Sequence, residues 1–144
     1  MIIFDSMGLK NVKISLPEIS KELEKINSSR EFLIKNNREV IINCSQAIIA
    51  IHKNDLGSAK LKIKKAKLLL AKLKQKATGD LGRYILTPEQ ELVEAIALLS
   101  IIEGKQIPSY KSIKVSGESY ILGLLDCIGE LKRQVIDQIR IGNS

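Results

Sequence analysis

Leu92-Val93-Glu94-Ala95-Ile96-Ala97-Leu98-Leu99-Ser100-Ile101-Ile102 reads as a helix that is apolar on nearly every side. A helix of that kind has to be enclosed by other elements. It begins near Gly82 or at Thr87-Pro88-Glu89-Gln90 and runs to about Glu103. Upstream, Leu56 to Lys76 places Leu61, Ile63, Ala66, Leu69, Leu70 and Leu73 at helical spacing among lysines. Asn54-Asp55 offers that helix a turn and a cap, and Ala77-Thr78-Gly79-Asp80 ends it. Earlier still, Ser15-Leu16-Pro17-Glu18 predicts a helix start, with Ser as N-cap, Pro in the first turn and Glu completing a capping box. Apolar spacing through Ile19, Leu23, Ile26, Phe32, Leu33, Val40, Ile41, Cys44, Ile48 and Ile51 carries this helix to Lys53, a length on the order of 55 Å. A break at Ser28-Ser29-Arg30-Glu31, a second capping box, is the rival to one continuous helix. Downstream, Gly104 to Lys114 reads as a loop or a short turn of helix, and Ser116 caps a last helix from Gly117 to about Ile139. Four substantial helices with short connections predict one all-α domain over residues 1–144, an antiparallel bundle of long helices.

Composition agrees. Aromatic residues make up 3 % of the 144 residues, while Leu, Ile, Ala, Lys and Glu dominate, which favours helices over sheets. The net charge of +7 suits a polyanionic partner, although a solvated lysine-rich surface accounts for it equally well. The segment from Ala59 to Lys76 holds eight lysines and no acid. It lacks Trp or Phe anchors for lying on a membrane. No apolar run approaches the ~18 residues that span a bilayer, and Met1-Ile2-Ile3-Phe4-Asp5 meets an acid too early for a signal peptide. The expectation is a cytoplasmic protein with no membrane partner. Cys44 and Cys127 form no C-x-x-C pair, and with a single histidine, His52, they make no zinc site. They read as buried free thiols in a reducing compartment. His52, beside Lys53 at a helix end, is expected to stabilise that end or meet a phosphate rather than catalyse. The chain contains no phosphate-binding glycine loop of the G-x-x-x-x-G-K-[ST] or G-x-G-x-x-G kind and no G-x-S-x-G elbow.

Four acids stand where an amphipathic chain tolerates them least. Glu91 and Glu94 are spaced i,i+3, and Asp126 and Glu130 i,i+4, so each pair shares one face of its own helix. Glu94 is the only polar residue between Leu92 and Leu99, and no lysine on its helix lies within reach. Asp126 and Glu130 sit among Ile121, Leu122, Leu124, Leu125, Ile128 and Leu131. Two such charges ~5 Å apart repel by roughly 3 kcal/mol at an effective dielectric near 20. Arg133, three residues beyond Glu130, is the structural alternative for relieving that repulsion. A divalent cation offsets all four charges together, and oxygen-only ligands select Mg²⁺ or Mn²⁺. A di-iron bundle would need Glu-x-x-His pairs, whereas Glu91-x-x-Glu94 and Glu130-x-x-Arg133 occupy those positions. Carboxylate-held divalent ions orient phosphates and activate water, so acids and net positive charge together suggest phosphodiester hydrolysis.

Gln90-Glu91-Leu92-Val93-Glu94-Ala95 resembles the E-Y-V-E-A segment of the translin family's catalytic branch, translin-associated factor X. Tyr120-Ile121-Leu122-Gly123-Leu124-Leu125-Asp126-Cys127-Ile128-Gly129-Glu130-Leu131-Lys132-Arg133 resembles the family's Y-L-x-G-x-x-D-x-x-G-E-L-x-R. Weaker similarity at Arg30-Glu31, Arg38, Ser45 and Ile51-His52-Lys53 extends the match over about residues 28 to 143. The resemblance implies an all-helical subunit of a hollow, octameric shell with inward-facing, Mg²⁺-dependent endoribonuclease sites. It implies that Glu91, Glu94, Asp126 and Glu130 are the catalytic and metal-binding set. The non-catalytic branch lacks the acids matching Glu91 and Glu94 and carries a basic stretch just upstream, which this chain does not match beyond Arg83. Family members continue with further helices past the position of Gly142-Asn143, and this chain ends at Ser144.

The resulting expectation is an Mg²⁺-dependent endoribonuclease for single-stranded RNA, with Mn²⁺ as a substitute ion and Arg30, Arg38, Lys53 and Arg133 as phosphate contacts. The alternatives are a non-catalytic scaffold binding single-stranded RNA or DNA, and a structural bundle with no affinity for oligonucleotides.

Overall fold

The computed structural model describes residues 8–142, and every regular element among them is helical. Helix α1 spans Lys10–His52, α2 Leu56–Lys76, α3 Leu86–Ile102, α4 Tyr110–Ile113 and α5 Gly117–Gly142, with a 3-10 turn over Gly79–Tyr84 before α3. The helix boundaries follow local chemistry. The Asp55 carboxylate accepts from the Ser58 N–H at 3.1 Å and opens α2. Ser109 does the same for α4 through Ser112 N–H, and Ser116 Oγ accepts from Ser119 N–H at the start of α5.

Helix α1 departs from the expectation at its start. It begins at Lys10 rather than at Ser15, and Pro17 lies inside it. Ser15 does not cap. Its hydroxyl donates to the carbonyl of Asn11 at 2.7 Å, which satisfies it within the helix. Nor does the chain break at Ser28-Ser29, so α1 is one helix of 43 residues, about 64 Å long.

Helix α2 folds back along α1 after the Asn54-Asp55 turn, where Asn54 takes a left-handed φ of 57°. Lys60 pairs with Glu103 at 3.1 Å and Lys74 with Glu89 at 3.0 Å, so α2 also runs antiparallel to α3. The alternation ends there. Ser119 Oγ donates to the Leu86 carbonyl, Gly123 lies against Gln90 and Val93, and Cys127 joins the cluster of Ala97 and Leu98. Contacts therefore advance together along α3 and α5, which run in the same direction. The connection over residues 103–116 makes this geometry by returning the chain to the start of α3. It is anchored by the Tyr120 hydroxyl on the Pro108 carbonyl and by buried Ile113 and Val115.

One core lies between α1, α2 and α3, built from Leu33, Val40, Cys44, Ala47, Ile63, Ala66, Leu70, Leu73, Leu92, Val93 and Ile96. The enclosure of α3 holds for its middle, where Leu92, Val93 and Ala95 to Leu98 are all buried, whereas Ile101 and Ile102 at its end are exposed. Buried residues on α1 begin only at Leu33. No helix among the described residues is long and apolar enough to cross a membrane.

Candidate functional site

Gly123 decides how closely the two acid-bearing helices approach. A Cβ there would lie 2.6 Å from the Gln90 carbonyl oxygen and 2.6 Å from Val93 Cβ, so only glycine allows this contact. Because α3 and α5 run in parallel, Glu91 and Glu94 meet Asp126 and Glu130 in the same order. Glu91 and Glu94 are half-buried, Asp126 is exposed, and the Glu130 side chain is 11 % exposed.

The electrostatics centre on Glu94. Burial, followed by the charges of Glu91, Asp126 and Glu130, pushes its carboxyl up to about 7, against the opposing pull of Arg133. Burial, with Asp126 second, raises Glu91 as well. The two free cysteines flank the acids and are buried as expected. Burial and then Glu91 and Glu94 push Cys44 up to about 12, while burial and then Glu94 and Glu130 push Cys127 up to about 11. Both therefore stay as inert thiols.

Two partners of the acids, and a third group that holds one of those partners, are ones the sequence did not disclose. The Gln90 amide donates to Asp126 Oδ2 across the helix pair. His52 Nε2 lies 2.6 Å from Glu130 Oε1, and the Gln134 amide donates to His52 Nδ1. His52 thus stands at the acid cluster and does more than cap the end of α1. Its contacts with Glu130 and Gln134 span 78 and 82 residues of sequence, so no local signal could have revealed them. Arg133 pairs with Glu130 at 2.7 Å, as the structural alternative anticipated. It is largely solvent-exposed, and the hydrogen bond to Asp126 comes from a neutral amide, so four acids face one strong cation.

Among the described residues, no group of three or more His, Cys, Asp or Glu side chains is arranged to hold a metal ion as it stands. Asp126 and Glu130 are turned towards Gln90, His52 and Arg133 instead. The donor set nevertheless fits a hard divalent cation in chemistry: four carboxylates on two facing helices, with burial and then a surplus of negative charge raising Glu94. Of the basic candidates, Arg133 belongs to this cluster, and Lys53 is exposed beside His52. Arg38, Ser45 and His52 recur every seven residues, so Arg38 lies on the same side of α1 about 21 Å away. Arg30 is further off and donates to Asn27 Oδ1 on its own helix.

No protein-family model matches the chain. Uncharacterized protein MJ0175 of Methanocaldococcus jannaschii is 38 % identical over 120 residues, which are 81 % of this chain and 54 % of that protein. The chain thus spans about half the length of the curated relative it matches. Among solved structures, AfC3PO in complex with duplex RNA superposes with a TM-score of 0.77 at 31 % identity, over 89 % of this chain and 68 % of that one. AfC3PO in a second structure gives a TM-score of 0.78 at 32 % identity with the same coverage. Apo-NeC3PO, 21 % identical, shares the fold with a TM-score of 0.80, over 88 % of this chain and 69 % of its own. C3PO complexes are assemblies of translin and translin-associated factor X type. Identity across two thirds of the AfC3PO subunit, together with the paired acid helices, makes the chain a member of the translin family.

Proposed function

We propose that the chain is an Mg²⁺-dependent endoribonuclease acting on single-stranded RNA, with Glu91, Glu94, Asp126 and Glu130 as its metal-binding and catalytic carboxylates. The observation that carries this reading is Glu94, half-buried, facing three more acids, and raised to about 7. Glu91 and Glu94, half-buried and raised by burial and by the acids beside them, are held at a cost to the fold, which is the expected signature of a cation-binding site. When bound there, a divalent ion supplies a Lewis acid for a phosphoryl oxygen and a water of lowered pKa. The chain's own groups do the rest. One of the four carboxylates also accepts the proton from the attacking water. Arg133 and Lys53 meet the phosphates next to the site, and Arg38 and Arg30 extend that contact along α1. That AfC3PO is seen with duplex RNA supports an RNA substrate for this relative.

The same reading includes self-association, an octameric shell by resemblance. Its support is apolar surface that the chain leaves uncovered. Val12, Leu16, Ile19, Leu23 and Ile26 are all exposed on the projecting half of α1, spaced alternately four and three residues apart as in a coiled-coil seam. On α5, Ile121, Leu125, Ile128, Val135 and Ile139 form a second exposed apolar stripe.

The test is labelled single-stranded RNA incubated with the protein in Mg²⁺ or in EDTA. Cleavage is expected only in Mg²⁺. Glu94→Ala or Asp126→Ala should abolish it while leaving RNA binding and helicity intact. A double variant that still cuts in Mg²⁺, freed of contaminating nuclease, defeats the assignment. A non-catalytic binding scaffold is the second reading, favoured by the exposed Lys65, Lys72 and Lys76 on α2. It requires salt-sensitive binding that is indifferent to EDTA and no cleavage.

A further inference from the structure

Beside the acid cluster, a cavity of about 430 Å³ opens between the C-terminal end of α1 and the second half of α5. His52, Glu130, Arg133, Gln134, Asp137 and Gln138 line it together with the apolar Ile141. Glu130 belongs to both the cavity and the acid cluster, so whatever occupies the cavity lies next to the bond being broken. The volume falls in the range of small-ligand pockets, about 300–1,000 Å³, and exceeds what a phosphate group alone would fill.

Charge determines which part of an RNA chain fits. Arg133 is paired with Glu130 at 2.7 Å, and Asp137 adds a second carboxylate to the wall. The lining carries more acid than strong base and so does not suit a phosphate. It suits a neutral group with hydrogen-bonding edges. The Gln134 and Gln138 amides, one helical turn apart, each offer a donor and an acceptor. The geometry of His52 points the same way. With Nε2–H donating to Glu130 Oε1 and Nδ1 accepting from the Gln134 amide, both ring nitrogens are engaged and the ring plane is held. The side chain remains 27 % exposed, and with both nitrogens engaged what the ring offers an incoming group is carbon. A fixed aromatic face next to amide groups is the arrangement on which an unstacked base is held.

We propose that this cavity seats the unpaired nucleoside flanking the cleaved phosphodiester, with its base stacked on His52 and its edge read by Gln134 and Gln138. This deepens the nuclease reading above and rests on it for the adjacent phosphate. An unpaired base enters at least cost, so such a contact would favour single strands.

The test uses the full chain carrying Glu94→Gln, so that nothing is cut, with nucleoside 5′-monophosphates and inorganic phosphate as probes. Binding is followed by titration calorimetry and by the side-chain amide NMR signals of Gln134 and Gln138. A nucleotide should bind more tightly than inorganic phosphate and shift both amide signals. His52→Ala should weaken nucleotide binding about tenfold, in line with the loss of one stacked base. His52→Phe keeps a ring face but loses both hydrogen bonds that hold it, and should recover part of the affinity that His52→Ala loses. Gln138→Ala, at an exposed position, should weaken binding and, in the cleavage-competent chain, change which base flanks the cut. The proposal is overturned if phosphate binds as well as the nucleotides, or if neither His52→Ala nor Gln138→Ala alters affinity or cut-site preference. Nucleotide binding without RNA cleavage by the Glu94-containing chain would sink the nuclease reading and leave the cavity's assignment standing. Cleavage with no effect of these variants would do the reverse.

Discussion

Glu94 makes the stability of this protein depend on pH in a direction opposite to that of an ordinary ion-paired acid. Its ordinary pKa is 4.5, and in the fold it stands at about 7. Below 4.5 the group is protonated folded or unfolded and costs nothing. Between 4.5 and 7 the unfolded chain releases the proton while the folded chain keeps it, so stability falls as pH rises, and the full penalty is present above 7. Such a shift corresponds to about 3 kcal/mol, which partial exposure screens to roughly 2. Glu94→Gln should therefore unfold about 2 kcal/mol later than the parent at pH 8 in EDTA, with the difference gone near pH 4.5. Thermal or urea unfolding at the two pH values measures it. Added Mg²⁺ at pH 8 should stabilise the parent and leave the variant nearly unchanged. Glu89 has the opposite sign. Burial raises it, but the Lys74 ammonium, the Ser116 N–H and the Ser119 hydroxyl outweigh burial and hold it below the usual range. Its contribution is present above the ordinary carboxylate pKa and is lost as pH falls through its lowered value.

The α3–α5 pair is the element on which the site depends, and Gly123 is its point of closest approach. A methyl group there meets the Gln90 backbone oxygen and Val93 side chain at 2.6 Å, neither of which can move without shifting a helix. Gly123→Ala should destabilise the protein by about 2 kcal/mol and separate the two acid pairs. Mg²⁺-dependent cleavage should drop more steeply than single-strand binding, which a parallel filter-binding and cleavage assay resolves. Retention of full activity would show that the acids act without this close contact. Gly129, six residues further along the same helix, has open space where a Cβ would lie and serves as the matched control.

For the whole molecule, the uneven lengths of α1 and α2 matter most. Helix α2, at 21 residues, covers about half of the 43-residue α1, and the projecting half of α1 keeps its heptad-like apolar seam in solvent. Exposed apolar surface of this extent on two helices is a docking surface in a folded protein. Leu23→Glu combined with Ile26→Glu should lower the mass measured by light scattering while leaving circular dichroism unchanged, because neither side chain is part of the core. If α5 provides a separate interface, Ile128→Glu should reduce the mass independently.

Helix positions were legible because their causes are local. Caps at Asp55 and Ser116 and the apolar period are written within a few residues of where they act. The Ser15 start misled because a serine hydroxyl can turn back on its own helix as readily as it can cap one. The four acids were legible because carboxylates inside apolar periods need a partner. Residue order alone gave the number of long helices, the burial of the middle of α3 and the placing of each acid pair on one helix face. The parallel run of α5 beside α3, the Gly123 contact, and the meeting of His52, Gln90 and Gln134 with the acids came only from tertiary structure. They join residues 33 to 82 positions apart, and which of these meet is set by the path of the returning connection rather than by any local pattern.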